Sequence, residues 1–261
     1  MPIWLNNISQ LHAALCIIAF VELVSLAGLL ATRRYLIPRF HFGEGINDAV
    51  SGTVQAIGVF YGITVGLIAV AVWNTNTSAA DMVSREASAI GALYRDVSGY
   101  PSPMREELQG ILRRYTVFII DEAWPAQQRG EIAAPGKSIM DDFQVRIYAF
   151  EPANQSQIAI HNETLRAFNN LLEYRHLRID SVKSGLSSTM WAVIWLGAAI
   201  SIGVAYFYQI VDVKLHAVLV VLMSGFLAVV LFMIVINDKP FYGSSSISSE
   251  PYKLILERLM K

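Results

Sequence analysis

The chain has 261 residues, 54% of them hydrophobic, a formal net charge of −1 and a mean hydropathy of +0.44. Near-neutrality removes the basic excess that binding to nucleic acid or an anionic surface would call for. A single cysteine, Cys16, excludes a disulfide within the chain.

The apolar excess is gathered in four blocks of about 20 residues, the length that crosses a hydrocarbon core of roughly 30 Å at 1.5 Å per residue. Residues 1–10 read as an interfacial tail with Trp4 as headgroup anchor. Residues 11–33 form the first predicted span. It is too long for the apolar core of a cleaved signal, and no positive leader precedes it. Glu22 lies near its middle, where an ionisable side chain costs roughly 2.5–3.5 kcal/mol on insertion scales and so faces helices or water. Two readings stand for it: a carboxyl on an ion or proton pathway, or a protonated, hydrogen-bonded carboxyl that packs helices.

Residues 34–52 hold Pro38, Gly43 and Gly45, which predict a short loop and not a long helix. His41, Glu44 and Asp48 lie there in no metal-ligand order, so no metal is expected. The second span, 53–74, carries Gly58, Gly62 and Gly66 at four-residue spacing. Gln55 precedes them, Val59 lies beside them, and Ala69 and Trp73 follow. Small residues so spaced let helices pack closely. In a ring of subunits the same face would line a narrow pore. No glycine or proline interrupts the chain from Trp73 to Gly91, so the helix is predicted to run on past the membrane into 84–90.

Residues 75–187 are polar enough to lie outside the bilayer and read as mostly helical. Apolar stripes run through Met82, Ile90 and Val97, through Leu108, Leu112, Tyr115 and Ile119, and through Phe168, Leu172, Ile179 and Val182. Ser102 before Pro103 reads as a helix start. Pro135 and Gly136 read as a loop, followed by a short helix over 141–150. Charged residues interrupt the stripes at Glu86, Glu122 and Arg175, with His161 on the same face as Arg175. Buried charges must meet opposite charges, which predicts a polar cluster of Glu86, Glu122, His161 and Arg175 fixing the register of three helices. An ion-binding or catalytic role is the sharper alternative.

The third span, 188–210, opens on Trp191 and Trp195 and carries a second small-residue stripe at Gly197, Ser201 and Ala205. A short loop, 211–215, holds Lys214. The fourth span, 216–237, stops ahead of Pro240. The tail, 238–261, ends in a short amphipathic helix on the membrane or the bundle. Arg33, Arg34, Arg39 and Lys214 in the short loops place those loops in the cytoplasm and the extramembrane domain outside it. The expected fold is therefore an all-α integral membrane protein of four transmembrane helices, with a helical bundle inserted between the second and third.

Several runs are familiar: Arg85-Glu86-Ala87-Ser88-Ala89-Ile90-Gly91-Ala92-Leu93-Tyr94-Arg95, Tyr100-Pro101-Ser102-Pro103, Leu112-Arg113-Arg114-Tyr115 and Glu122-Ala123-Trp124-Pro125. With Arg175-His176-Leu177-Arg178 and Asp238-Lys239-Pro240-Phe241-Tyr242-Gly243, they resemble the bacterial bestrophin-like integral membrane domain family over nearly the whole chain. The family name implies remote similarity to bestrophins, homopentameric anion channels gated by calcium. That resemblance implies a multi-pass protein of the bacterial inner membrane, in a symmetric ring of identical subunits with one helix each lining the pore. The sequence departs from bestrophins in lacking a dense acidic calcium clasp, with only Asp141-Asp142 to stand for it. A hydrophobic neck has no clear counterpart beside Val59 and Phe60.

No phosphate-cradling glycine loop, His-Glu-x-x-His helix or cysteine nucleophile is present, so neither an enzyme nor a cofactor is expected. The leading expectation is a homo-oligomeric ion channel in the lipid bilayer, with Gln55, Gly58, Val59, Gly62 and Gly66 facing the path and Glu22 acting from behind. The rivals are a membrane-anchored assembly or sensory protein without conduction, and a carrier coupled to protons through Glu22.

Overall fold

A computed structural model describes residues 10–243 and 246–261; Trp4 and most of the expected interfacial tail lie outside them. Among the described residues the chain is helical with no strand. Helices α1 (Gln10–Ala31), α2 (Ile46–Asp96), α7 (Ser188–Ala205) and α8 (Val213–Asn237) are long and apolar enough to cross a membrane. Between α2 and α7 lie α3 (Met104–Phe118), α4 (Trp124–Gln128), α5 (Pro135–Tyr148) and α6 (Gln155–Val182). The chain closes with α9 (Glu250–Leu259).

Local chemistry sets these bounds and corrects several expectations. After α1 the backbone stays wound through a π-helical turn, Thr32–Leu36, and a 3-10 turn, Ile37–Arg39, with Pro38 in that turn. The predicted loop is therefore shorter than 34–52, and the bend falls at Gly45, whose φ of +86° favours glycine. α2 begins at Ile46 and continues for 51 residues without a break. Gly91 lies within it, buried beside Ile255 and Leu259 of α9. α3 begins after Pro103 and no side chain caps it, so Ser102 is not the cap. α5 starts at Pro135, within the predicted loop; a proline loses nothing at a first turn, where its missing N–H would have no partner. Asn154 caps α6, its Oδ1 accepting from Gln157 N at 2.9 Å while Gln157 Oε1 accepts from Ala153 N at 2.7 Å. α7 stops at Ala205 and α8 opens at Val213, where Asp212 accepts from Lys214 N at 2.8 Å.

The chain divides into two compact units. The first comprises the residues up to Asn74 together with Gly185–Asp238, and holds α1, the first part of α2, α7 and α8. Tyr61, Val65, Ile68, Ala69 and Val72 of α2 bury against Ile194 and Ala198 of α7 and Leu231 and Ile234 of α8. α1 packs chiefly along α8. Glycines make room at each seam. A Cβ on Gly197 would stand 2.3 Å from the Tyr61 ring, and one on Gly28 would stand 2.7 Å from the Tyr206 hydroxyl. Tyr61 also donates to Ile194 O at 2.8 Å. At one end Arg33 Nη1 donates to Ile210 O and to His216 Nδ1, each at 3.0 Å. Nδ1 of the buried His216 is thus the acceptor, and Nε2 donates to Ala205 O at 3.1 Å. At the other, Asp238 accepts from Leu186 N at 2.6 Å and Trp191 Nε1 at 3.3 Å.

The second unit, Thr75–Ser184 with Lys239–Lys261, has a larger aromatic core. Ala79, Val83, Ala87, Ile90 and Leu93 of α2 meet Leu108, Leu112, Tyr115 and Ile119, and Phe143 stacks on Phe168 at 4.9 Å. The terminal helix belongs to this core: Tyr252 and Met260 are buried and Trp124 Nε1 donates to Ile247 O at 3.0 Å.

Candidate functional site

Within the first unit, α2 buries one face and leaves the rest open. The buried residues recur at 61, 65, 68 and 72, the period of one helical face. Gln55, Gly58, Val59, Gly62 and Gly66 are all exposed. The three glycines differ from Gly28 and Gly197, because a Cβ added to any of them would meet nothing within 4 Å. Ala69, expected on the same stripe, is buried: three residues on from Gly66, it falls back to the core side. Beside the glycines, Val59, Ile63 and Val70 are each more than half exposed, and farther round Phe60 and Leu67 are 73% and 68% exposed. A large apolar surface without partners in its own chain is suited to lipid or to other copies. Glu44 and Asp48, at the Ile46 end, are exposed as well.

Glu22 is half-buried between α1 and α8. Its Oε2 accepts from Ser224 Oγ at 2.9 Å, and its Oε1 fills the space beside Gly225, 2.6 Å from where a Cβ would be.

The predicted polar cluster forms around Glu86 with different partners. Glu86 is fully buried. Arg178 clamps it with two nitrogens, Nε to Oε2 and Nη2 to Oε1, the latter at 3.2 Å. Tyr115 donates to Oε1 at 2.8 Å and Tyr252 to Oε2 at 3.0 Å. Burial first, and then the Glu86 charge, raises both phenols far above their ordinary value, so they stay protonated and donate. Burial opposes the Arg178 charge, but Glu86 outweighs it and holds that guanidinium well above its usual range. Four groups from α2, α3, α6 and α9 thus form one bidentate, hydrogen-bonded ion pair.

Arg175, Glu122 and His161 are not in it. On α6 the buried residues are Thr164, Phe168, Leu171, Arg178 and Val182; Phe168 and Val182 belong to the predicted stripe, while Leu172, Arg175 and Ile179 are only partly buried. Glu122 is exposed because the π-helical turn Ile119–Ala123 inserts one residue, and Ala123 takes the inward position that a seven-residue step from Tyr115 assigns to Glu122. His161 pairs with Tyr100 instead, Nδ1 to hydroxyl at 2.8 Å, and burial lowers its pKa. The clue to Arg178 was its spacing, seven residues after Leu171 and four before Val182. Among the described residues no three His, Cys, Asp or Glu side chains gather as metal ligands.

A family model described as a bestrophin-like domain matches residues 18–252. Two variants of a bacterial bestrophin homologue from Klebsiella pneumoniae match in structure, each with a TM-score of 0.69, at 9% and 10% identity. They cover 95% of this chain and 97% and 98% of their own. At such identity the likeness establishes the fold alone. A search among curated proteins finds no match.

Proposed function

Because the chain belongs to the bestrophin-like family of multi-pass membrane proteins, we propose that it conducts ions as a homo-oligomer, a pentamer by family kinship. Its α2 helices surround the path, and Gln55, Gly58, Val59, Gly62 and Gly66 face it. One observation carries this reading: among the described residues nothing lies within 4 Å of a Cβ built on any glycine of the stripe, whereas Gly28, Gly197 and Gly225 each hold a side chain of another segment. A small-residue stripe that does no packing within the protomer is available to water or to an adjoining copy. Rings of Glu44 and Asp48 at the Ile46 end would favour cations at that mouth. The protein lies in the bacterial inner membrane with its short loops in the cytoplasm and the α3–α6 unit outside, and it catalyses no reaction. Reconstitution in a planar bilayer tests the reading. Unitary currents that change when Gly62 is replaced by Phe support it. Silence from a correctly assembled oligomer would falsify it and leave an anchored assembly or sensory protein.

A further inference from the structure

In the second unit α2 presents one exposed face, Ser84, Ser88, Ala92 and Arg95, recurring at the three- and four-residue steps of one helical side. A groove runs along each flank of that face, and Ser88 and Ala92 line both. The groove against α6 is acidic: Asp81, Asp96 and Glu163 line it, with Arg85 alone opposing them. Arg85 is taken by Asp81 at 2.6 Å and Glu163 is shared with Arg166 at 2.7 Å, both on the surface, where such pairing is weak. Asp96 forms no ion pair among the described residues. Burial, and then the Glu163 charge, raises its carboxyl above the usual range.

The groove against α9 is basic. Arg95 and Arg258 line it with no carboxylate, and neither forms an ion pair among the described residues. Leu254, one turn before Arg258 and 38% exposed, adds an apolar side chain on the same side of α9. Small side chains, Ala89 and Ala167, line the acidic groove and leave room for it. The two grooves lie on opposite flanks of one helix, so they meet only between copies. Either groove set against its own counterpart brings like charges together. A head-to-tail contact instead sets the basic flank of one copy on the acidic flank of the next, and contacts of that kind close into rings. Building on the homo-oligomer of the proposed function, we propose that the α9 edge of each protomer, Leu254 and Arg258, docks in the α2/α6 groove of the adjoining copy, with Arg258 between Asp96 and Glu163.

The test uses the full-length protein in detergent, in a Cys16→Ser background. Native mass spectrometry of that protein first gives the subunit count. With Glu163→Cys and Arg258→Cys in one chain, oxidation should give a reducible ladder of cross-linked multimers that ends at that count. Either cysteine alone should leave only monomer on the same denaturing gel. An oligomer that yields no ladder, or that cross-links through a single cysteine, overturns the docking and leaves the oligomer standing. A monomer by native mass overturns the oligomer itself, and the docking with it. Charge exchange at the same two exposed positions is an independent readout. Arg258→Glu should lower the oligomeric fraction, and adding Glu163→Arg should restore it; equal fractions throughout, or a loss that the second change does not restore, would overturn the docking.

Discussion

Helix α2 passes through both units and is used differently in each. In the second unit its inward face is filled from Ala79 to Leu93 and includes a buried carboxylate met by three donors. In the first unit one seam, Tyr61 to Val72, is buried, while a Cβ on any glycine of the stripe would meet no described residue within 4 Å and the apolar residues beside it are more than half exposed. The solvents explain the contrast. A helix in water is stabilised by hiding its apolar stripe, and a charge hidden with it must be matched. A helix in lipid gains little by hiding leucine, so close packing is confined to places where shape demands it.

The largest effect expected from this contrast is at Glu86. Glu86→Ala strands the buried Arg178 and should destabilise the second unit by about 3–5 kcal/mol, read in thermal or denaturant unfolding. Arg175→Ala should cost about 1 kcal/mol or less, because that side chain is partly exposed and makes no ion pair among the described residues. Equal losses at the two arginines, Arg175 and Arg178, would contradict the cluster as described.

The same measurement separates the glycines of the first unit. Gly197→Ala places a methyl group against the Tyr61 ring and should cost about 1–3 kcal/mol, as overpacking does. Gly62→Ala meets nothing within the protomer, so monomer stability should not fall. A comparable loss at Gly62 would mean that the stripe packs in a way the protomer does not reveal. Removing the α6 cap with Asn154→Ala should cost about 1 kcal/mol, and an unchanged midpoint would deny the cap its role.

These sites also mark how far the sequence could be read. Hydrophobic length alone exposes the four helices apolar enough to span, because lipid imposes one requirement on every residue in turn, and the run without glycine or proline after Trp73 exposes the continuity of α2. The inserted unit is harder, since its faces depend on phase. One π-helical turn at Ile119–Ala123 rotates Glu122 into solvent, and a step of three residues along one face of α6 exchanges Arg175 for Arg178. Neither change alters composition. The contribution of Tyr252 comes from a distant segment, and no local spacing announces it.

The smallest expected effect is one of pH. Burial lowers the His161 pKa beneath its ordinary 6.5, so above that value the imidazole is neutral both folded and unfolded. As the pH falls through 6.5 towards the lower folded value, the unfolded chain binds the proton first and stability declines. The decline should be modest, because the ring is only partly buried, and His161→Gln should flatten it. A melting profile in which the unmodified protein and the variant track each other would remove His161 from the account.

The central claim, that the glycine stripe faces a shared hydrated path, is tested most directly by thiol labelling during current recording. In a Cys16→Ser background, Cys substitutions are made at Gly62 and at Leu67, which lies about 140° farther round the helix. Modification by a charged, membrane-impermeant reagent that changes the current at position 62 and leaves position 67 inert is the predicted result. Labelling at 67 with position 62 inaccessible would contradict it.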